Sequence, residues 1–336
     1  MTKKYDIITF GRVSIDLYSK DLGAAFEDIK DLSAYVGGSS TNIAVSCRRL
    51  GLRTALLTAV GNDKVGDFIR RFLENEGIET KYIPTIEGTR SPAVILGVEP
   101  PDRFPLVFYR DNAADLQITI DHVLTANLAD FRAIALSGNA LSKEPSKSST
   151  FFAAEKAKSL GLHVFLDLDF RSDQWYDPRA YGVLVRALLP YIDTAIGTEE
   201  EVLAASFADS AEMTVKHQQV SAPEIQGDVS DAIEQLLNRG IKTLIVKRGA
   251  DGASIFQPEK EEIIVPGFPV EILNVLGAGD AFGGGFIYGC LQGWDLYKAV
   301  RMGNACGAIL VTKHGCANFM PNLETAMTFA ESHGGL

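Results

Sequence analysis

No two of the four cysteines, Cys47, Cys290, Cys306 and Cys316, stand at C-x-x-C spacing, and none has a histidine at zinc-ligand spacing. A structural zinc site and a dithiol redox site are therefore excluded, and the cysteines read as small buried side chains in a reducing compartment. Histidine is scarce too: His122, His163, His217, His314 and His333 are scattered and form no ligand pair. Positive charge is in deficit, with 32 Lys and Arg against 43 Asp and Glu and a formal net charge of -11. A nucleic-acid partner, which demands clustered cations, is excluded on that ground. The apolar stretch nearest the start, Ile7 to Phe10, is far too short for a signal peptide or a membrane span. A soluble protein of the cytoplasm is expected. The chain has no repeat of 20–50 residues, no low-complexity segment and no Gly-Lys-Ser or Gly-Lys-Thr of a P-loop.

What remains is a chain of 336 residues, 46% hydrophobic, long enough to bury a large core. A single domain spanning 1–336 is expected. Four junctions set the fold class: Arg49-Leu-Gly51-Leu52, Asn75-Glu-Gly77-Ile78, Ser159-Leu-Gly161-Leu162 and Asn238-Arg-Gly240-Ile241. Each closes a helical pattern with a glycine suited to the left-handed backbone past a helix end, then opens an apolar run. The runs Ala55–Val60, His163–Leu168 and Thr243–Val246 are short and mostly apolar, as strands covered on both faces should be. Helices alternating with such strands predict a three-layer α/β/α domain around a mainly parallel sheet. Two stretches break the rhythm, about 13–36 and 91–111, where alternating or proline-punctuated segments predict a small accessory β-sheet. A polar segment, about 207–229, reads as a surface insertion.

The strongest motif is Asn274-Val-Leu-Gly-Ala-Gly-Asp-Ala-Phe-Gly-Gly-Gly285, ahead of a helical stretch running to about Leu291. Glycines at a helix start let backbone N–H groups close on an anion, and the helix dipole favours negative charge there. A carboxylate such as Asp280 would repel a resting phosphate unless its task is to receive a proton, which phosphoryl transfer to an alcohol requires. The motif equally fits a glycine-rich helix start with Asp280 as a first-turn acid. A dinucleotide fingerprint fits worse, because its third glycine position is Phe282 and no acid stands at a strand end about twenty residues on.

At this point the chain resembles the ribokinase-like carbohydrate kinases. Their C-terminal signature ends in Gly-Ala-Gly-Asp, matched at Gly277 to Asp280, and their N-terminal signature is matched by Gly37-Gly38-Ser-Ser-Thr-Asn42-Ile-Ala44. The likeness also covers Asp16, Val246-Lys-Arg-Gly249 with Gly252, and Gly303-Asn304-Ala305, so it spans nearly the whole chain. It implies a lid built from the small β-sheet, Asp280 as catalytic base, and an anion hole from Gly277, Ala278 and Gly279. It further implies a sugar held by Asp16, Gly38 and Asn42, ATP near Lys247, Gly249, Gly252 and Asn304, and magnesium reached through water by Glu200. His314 stands in the nucleotide loop that the resemblance implies. Departures are Gly197, three residues before Glu200 where relatives carry Asn, and Asn274, where many carry an acid that helps bind a monovalent cation. Dependence on potassium is left open by the second, and a homodimer through the lid is a further expectation.

Arginines bear on the substrate. Gly11-Arg12-Val-Ser-Ile-Asp16, Phe108-Tyr-Arg110-Asp-Asn112 and Asp167-Leu-Asp-Phe-Arg171-Ser-Asp-Gln-Trp175 resemble the branch of this family that phosphorylates a sugar acid in inositol breakdown. A carboxylate substrate suits a guanidinium, which binds it through two parallel bonds. Arg12 or Arg110, or both, are the expected ligands, with Arg171 at the substrate, at the nucleotide phosphates or bracing the sheet edge; each also fits a structural ion pair. Other sugar kinases, and a sugar-binding regulator on a kinase scaffold, stay open.

Overall fold

A computed structural model describes residues 3–100, 103–206, 213–214 and 224–336. Eight strands form the central sheet in the order Ile263–Pro266, Gly252–Phe256, Thr243–Lys247, Thr194–Thr198, His163–Asp167, Phe131–Ser137, Tyr5–Phe10 and Thr54–Leu57. All neighbours pair in parallel except at the Ile263–Pro266 edge, where a hairpin makes two antiparallel pairings. Successive residues of a strand face opposite sides, and both sides here are covered. Ile8, Leu57, Val164, Leu166 and Leu244 enter one core, and Ile7, Leu56, Phe165 and Ile245 enter the other. That double burial is why these strands read as unbroken apolar runs rather than alternating ones.

The four helix-closing glycines, Gly51, Gly77, Gly161 and Gly240, all take left-handed backbone, with φ of 104°, 72°, 72° and 100°. Three of them lead into the central sheet. The run after Gly77 only touches its edge, through a parallel bridge of Glu79 to Ala55, before the chain continues to Thr85–Ile86, which pairs with Val60–Gly61 outside it. The insertion about 207–229 falls mostly outside the described residues, as does His217; within it Met213–Thr214 pairs with Glu224–Ile225.

A separate four-stranded sheet has the order Leu32–Gly37, Ser14–Ser19, Ala93–Leu96 and Leu106–Tyr109. Tyr18, Val94, Leu96 and Leu106 on its inner face pack with Cys316, Val275 and Leu276. The small sheet therefore rests on the loop that leads into the helix Ala278–Leu291. On its outer face Ile15, Leu17, Ile95 and Val107 are half-buried, and Tyr109 is exposed.

Asp193 locks three adjacent strands at their starts. It is 5% exposed, accepts from Val164 N–H at 3.0 Å, and pairs with Lys158 at 2.8 Å and Lys242 at 2.7 Å. Burial works to raise its pKa, but the two ammonium groups and the amide outweigh it and hold it at about 2. A depressed carboxylate pKa contributes stability that is present above the unfolded value and lost as pH falls towards the folded one. Asp193→Asn is expected to destabilise the protein by about 2 kcal/mol at neutral pH, with the difference narrowing as the pH drops below about 4. Urea unfolding of the two proteins across that range checks it.

Candidate active site

The parallel strands deliver their C-terminal ends to one edge, where ligands of open α/β sheets bind. Phe10 leads to Arg12, Ser137 to Asn139, Asp167 to Asp169 and Arg171, Thr198 to Glu200 and Glu201, and Thr243–Lys247 ends on Lys247 itself. Over this edge two helices begin, Ser39–Arg49 and Ala278–Leu291, and Asn42 Nδ2 of the first donates to Asp280 Oδ2 of the second at 2.7 Å. The glycine run after Asp280 serves this packing: a Cβ on Gly284 would lie 2.2 Å from Ser46 Oγ, and one on Gly285 2.8 Å from Met302 O. At the helix start Gly277 has φ 82°, and a Cβ there would meet Cys316 Sγ at 2.6 Å, so both conformation and space require glycine. Gly279 and Asp280 lie in the first turn, where helix N–H groups lack intrahelical partners. Ala278 N–H, by contrast, donates to Val275 O at 3.2 Å.

Asp280 lines a cavity of about 150 Å³ together with Asp167, Asp169, Arg171, Glu200, Glu201, Lys247, Gly277 and Gly279. Burial first, then the neighbouring Asp169 charge, push its pKa up to about 6, against the opposing pull of Asn42, Arg171 and Lys247. Lys247 Nζ stands 3.8 Å from Asp167 and 3.6 Å from Glu201. Burial disfavours its charge, yet Glu201, Asp167 and Asp280 outweigh that and keep the ammonium protonated, while burial pushes Asp167 well above the usual carboxylate range.

A second cavity, of about 320 Å³, adjoins the first and shares Thr198, Lys247, Val275 and Gly279 with it. Its far walls are apolar or small, Phe268, Val270, Ile272, Ala308 and Val311, with Gly249, Gly252 and Asn304. Asn304 Nδ2 is committed to Val265 O and Pro266 O at 3.2 and 2.9 Å, so it braces the wall. A flat apolar slot joined to a cationic, N–H-lined end fits a purine nucleotide with its phosphates at Lys247. Magnesium binds through one or two carboxylates and the phosphates themselves. Glu200 and Glu201 supply such carboxylates, and among the described residues no group of three acids, histidines or cysteines would hold a metal alone.

The inner face of the small sheet packs on Val275 and Leu276 of the first cavity's wall, but Arg12, Asp16, Gly38 and Arg110 line neither cavity. Ser14 donates to Asp16 Oδ1 at 2.6 Å, and the Asp16 carboxylate fills the space a Cβ of Gly37 would need. Gly38, φ 102°, passes within 2.5 Å of Arg12 O measured from its absent Cβ. The two expected arginines differ. Arg110, 4% exposed, is paired with Asp115 at 2.6 Å and also donates to Asn139 Oδ1. Arg12, 7% exposed, has among the described residues no carboxylate in ion-pair range and no hydrogen-bond partner for Nε; its guanidinium lies 5.0 Å from the Phe108 ring centre, with Ser14 Oγ 3.4 Å from Nη1. His314 lines neither cavity: its Nε2 is 2.8 Å from Ser19 O, against the small sheet. Asn274 Oδ1 accepts from Leu276 N–H at 3.0 Å and so shapes the turn before the helix.

Several residues at the site escaped the sequence reading. Glu201 is the third of three consecutive glutamates and only the helical turn, with Thr198 N–H donating to it at 2.8 Å, singles it out. Ser39 and Ser137 converge on Asp169 Oδ2 at 2.5 and 2.9 Å, from points 130 and 32 residues away, which no local pattern shows.

Fold and site together define an ATP-dependent carbohydrate kinase. The sequence pattern of the pfkB family carbohydrate kinases matches residues 4–323, and the chain belongs to that family. It is 31% identical over 330 residues to a 5-dehydro-2-deoxygluconokinase of Geobacillus thermodenitrificans, covering 98% of this chain and 94% of the relative. A protein of the same name from Clostridium tetani is 31% identical over 337 residues, covering 99% and 96%. Among solved structures, an E. coli protein assigned as ribokinase II, seen with ATP and Mg2+, superposes with TM-score 0.85 at 25% identity, covering 98% of this chain and all of that one. A fructokinase of Vibrio cholerae with fructose, ADP and potassium bound superposes with TM-score 0.81 at 24% identity, covering 98% and 99%. No helix among the described residues is long and apolar enough to cross a membrane.

The Asp280 carboxyl should titrate near pH 6. Because Asn42 donates to its charged form, Asn42→Ala should move the midpoint higher. Carboxyl carbon NMR of the labelled enzyme and the variant reads both, and a midpoint that stays put or falls would show that the 2.7 Å bond does not act on Asp280.

Proposed function

We propose that this kinase transfers the γ-phosphoryl group of ATP to the terminal hydroxyl of 5-dehydro-2-deoxygluconate, giving the 6-phosphate and ADP in the cytoplasm. The observation that carries the acid substrate is Arg12: a buried guanidinium that no carboxylate of the described residues meets at ion-pair distance, although Asp16 and Asp169 feel its charge from further off. A buried cation without such a close partner is costly, and a substrate carboxylate relieves that cost with two charge-assisted bonds. The names carried by the relatives from G. thermodenitrificans and C. tetani support the same reading.

In this reading ATP with magnesium supplies the phosphoryl group and neutralises part of its charge. Lys247 and the first-turn N–H groups of Gly279 and Asp280, with Gly277 and Ala278 shaping the loop, hold the phosphate oxygens. Glu200 and Glu201 would hold the metal, whose charge would help neutralise the phosphates. Asn42 occupies Asp280 Oδ2 and leaves Oδ1 for the substrate. As the hydroxyl oxygen forms its bond to the γ-phosphorus, the bond to the β-phosphate oxygen breaks and the hydroxyl proton passes to Asp280. At neutral pH that carboxyl, with a pKa of about 6, is mostly ionised and still basic enough to take the proton. Asp16, Gly38 and Asn42 orient the sugar, Arg171 faces the transferring group, and Arg110, neutralised by Asp115, shapes the pocket wall.

Asp280→Asn should keep the fold and ATP binding and lose about 10²–10⁴ in turnover; near-normal turnover would remove Asp280 from the base role. Arg12→Met should lower kcat/KM on 5-dehydro-2-deoxygluconate about tenfold to a hundredfold, with a smaller loss on an analogue lacking the carboxylate. Equal losses on both would make Arg12 structural. A higher kcat/KM on 2-dehydro-3-deoxygluconate, fructose or ribose would reassign the substrate. The half-buried outer face of the small sheet further supports pairing of two copies through it, which sedimentation of Ile15→Lys against the parent protein tests.

A further inference from the structure

Asp169 is the most heavily held acid at the site, and nothing in the transfer reaction described above uses it. It is 2% exposed and sits at φ 35°, a left-handed conformation unusual for a residue with a side chain. Two hydroxyls from distant elements, Ser39 at the start of its helix and Ser137 at the end of its strand, fix Oδ2. On the other oxygen, Arg171 Nη2 approaches Oδ1 to 3.1 Å without the alignment of a hydrogen bond, so Oδ1 keeps a free lone pair inside the cavity that Asp280 also lines. A buried carboxylate fixed on one oxygen by two hydroxyls and faced on the other by a guanidinium is placed for its charge rather than for packing.

We propose that Asp169 is a positioning residue for phosphoryl transfer: it anchors Arg171 at the cavity wall and supplies the negative field in which Asp280 takes up the substrate proton. This rests on the reading of Asp280 as the base. The arrangement separates two neighbouring acids into different roles, as catalytic carboxylate pairs do. Asp169 stays ionised because Arg171, Arg12 and the two serine hydroxyls outweigh the effect of its burial. Asp280, left with a single side-chain donor, is the acid that feels the repulsion. The charged groups acting on Asp280 are Asp169 on one side and Arg171 and Lys247 on the other, while Asp167, Tyr18 and Cys316 in turn feel its charge. Removing the negative neighbour lowers the pH at which Asp280 ionises, and removing the positive neighbour raises it.

The experiment is the pH dependence of kcat/KM for the full-length enzyme, its Asp169→Asn and Arg171→Gln variants, and Asp280→Asn. In Asp169→Asn, where the amide oxygen can still accept from Ser39 and Ser137, the acid limb should move down by about one pH unit and the plateau should fall. In Arg171→Gln the limb should move up. Opposite displacements support the proposal; a limb that stays put in either variant, or moves the same way in both, overturns it. Arg171, three-quarters buried at the cavity mouth, gives a usable result even where Asp169→Asn does not fold. The Asp280→Asn arm separates the two readings: residual activity near the parent level removes the base itself, whereas a dead Asp280→Asn with unmoved limbs in the other two removes only the role of Asp169.

Discussion

The 2.7 Å hydrogen bond between Asn42 and Asp280 joins the starts of two helices that lie more than 230 residues apart in the chain. Each helix start presents polar backbone and small residues to the same edge of the sheet, and neither makes a site alone. Their closeness is set by glycine: Gly284 admits Ser46, and Gly283 leaves Ile43 room at 3.6 Å. Both helices cover the face of the sheet that holds Ile7, Phe165 and Ile245, so the site inherits its rigidity from that core. A side chain at Gly284 would push the helices apart and lengthen the bond on which the position of Asp280 depends.

That closeness concentrates charge. Asp16, Asp167, Asp169, Glu201 and Asp280 gather near three cations, Arg12, Arg171 and Lys247. Burial acts on all of them, so the compensation is local: each acid is ionised or protonated according to its nearest donors. Asp169 has two hydroxyls and two guanidiniums near it and stays low, whereas Asp16, with one hydroxyl and Arg12, is raised.

The architecture was legible where burial leaves a linear trace. Strands covered on both faces show as apolar runs, helix ends show as glycines, and the two segments that form the small sheet show as interruptions of that rhythm. Strand order was not legible, because nothing local to Tyr5–Phe10 tells that it lies between Phe131–Ser137 and Thr54–Leu57. At the site, the residues inside short motifs, Asp280 and Asn42 among them, were visible as patterns. Ser39 and Asp169 stood inside such motifs, but their meeting with Ser137 was not visible, since it exists only after the strands have been stacked in register, and Glu201 was hidden among identical neighbours. His314 misled for the same reason: its neighbour in sequence belongs to one loop, but its ring packs on Tyr18 and Tyr35 of the small sheet.

The two buried arginines of the small-sheet region differ in how their charge is met. Arg110 spends its donors on Asp115 and Asn139, and replacing it would strand a buried carboxylate, so its loss would be felt first as instability. Arg12 has a ring beneath it and one hydroxyl 3.4 Å away, which leaves donors unsatisfied in a place water reaches poorly. Such a group makes the empty pocket less stable than a neutral residue would. A neutral sugar relieves that only in part, because its hydroxyls do not cancel the charge. In the proposed reading an acid sugar adds the close carboxylate that Arg12 lacks and, held there, would turn its far end towards Asp280. Selectivity would then follow from the cost that every competitor leaves at Arg12, rather than from extra contacts to the favoured substrate.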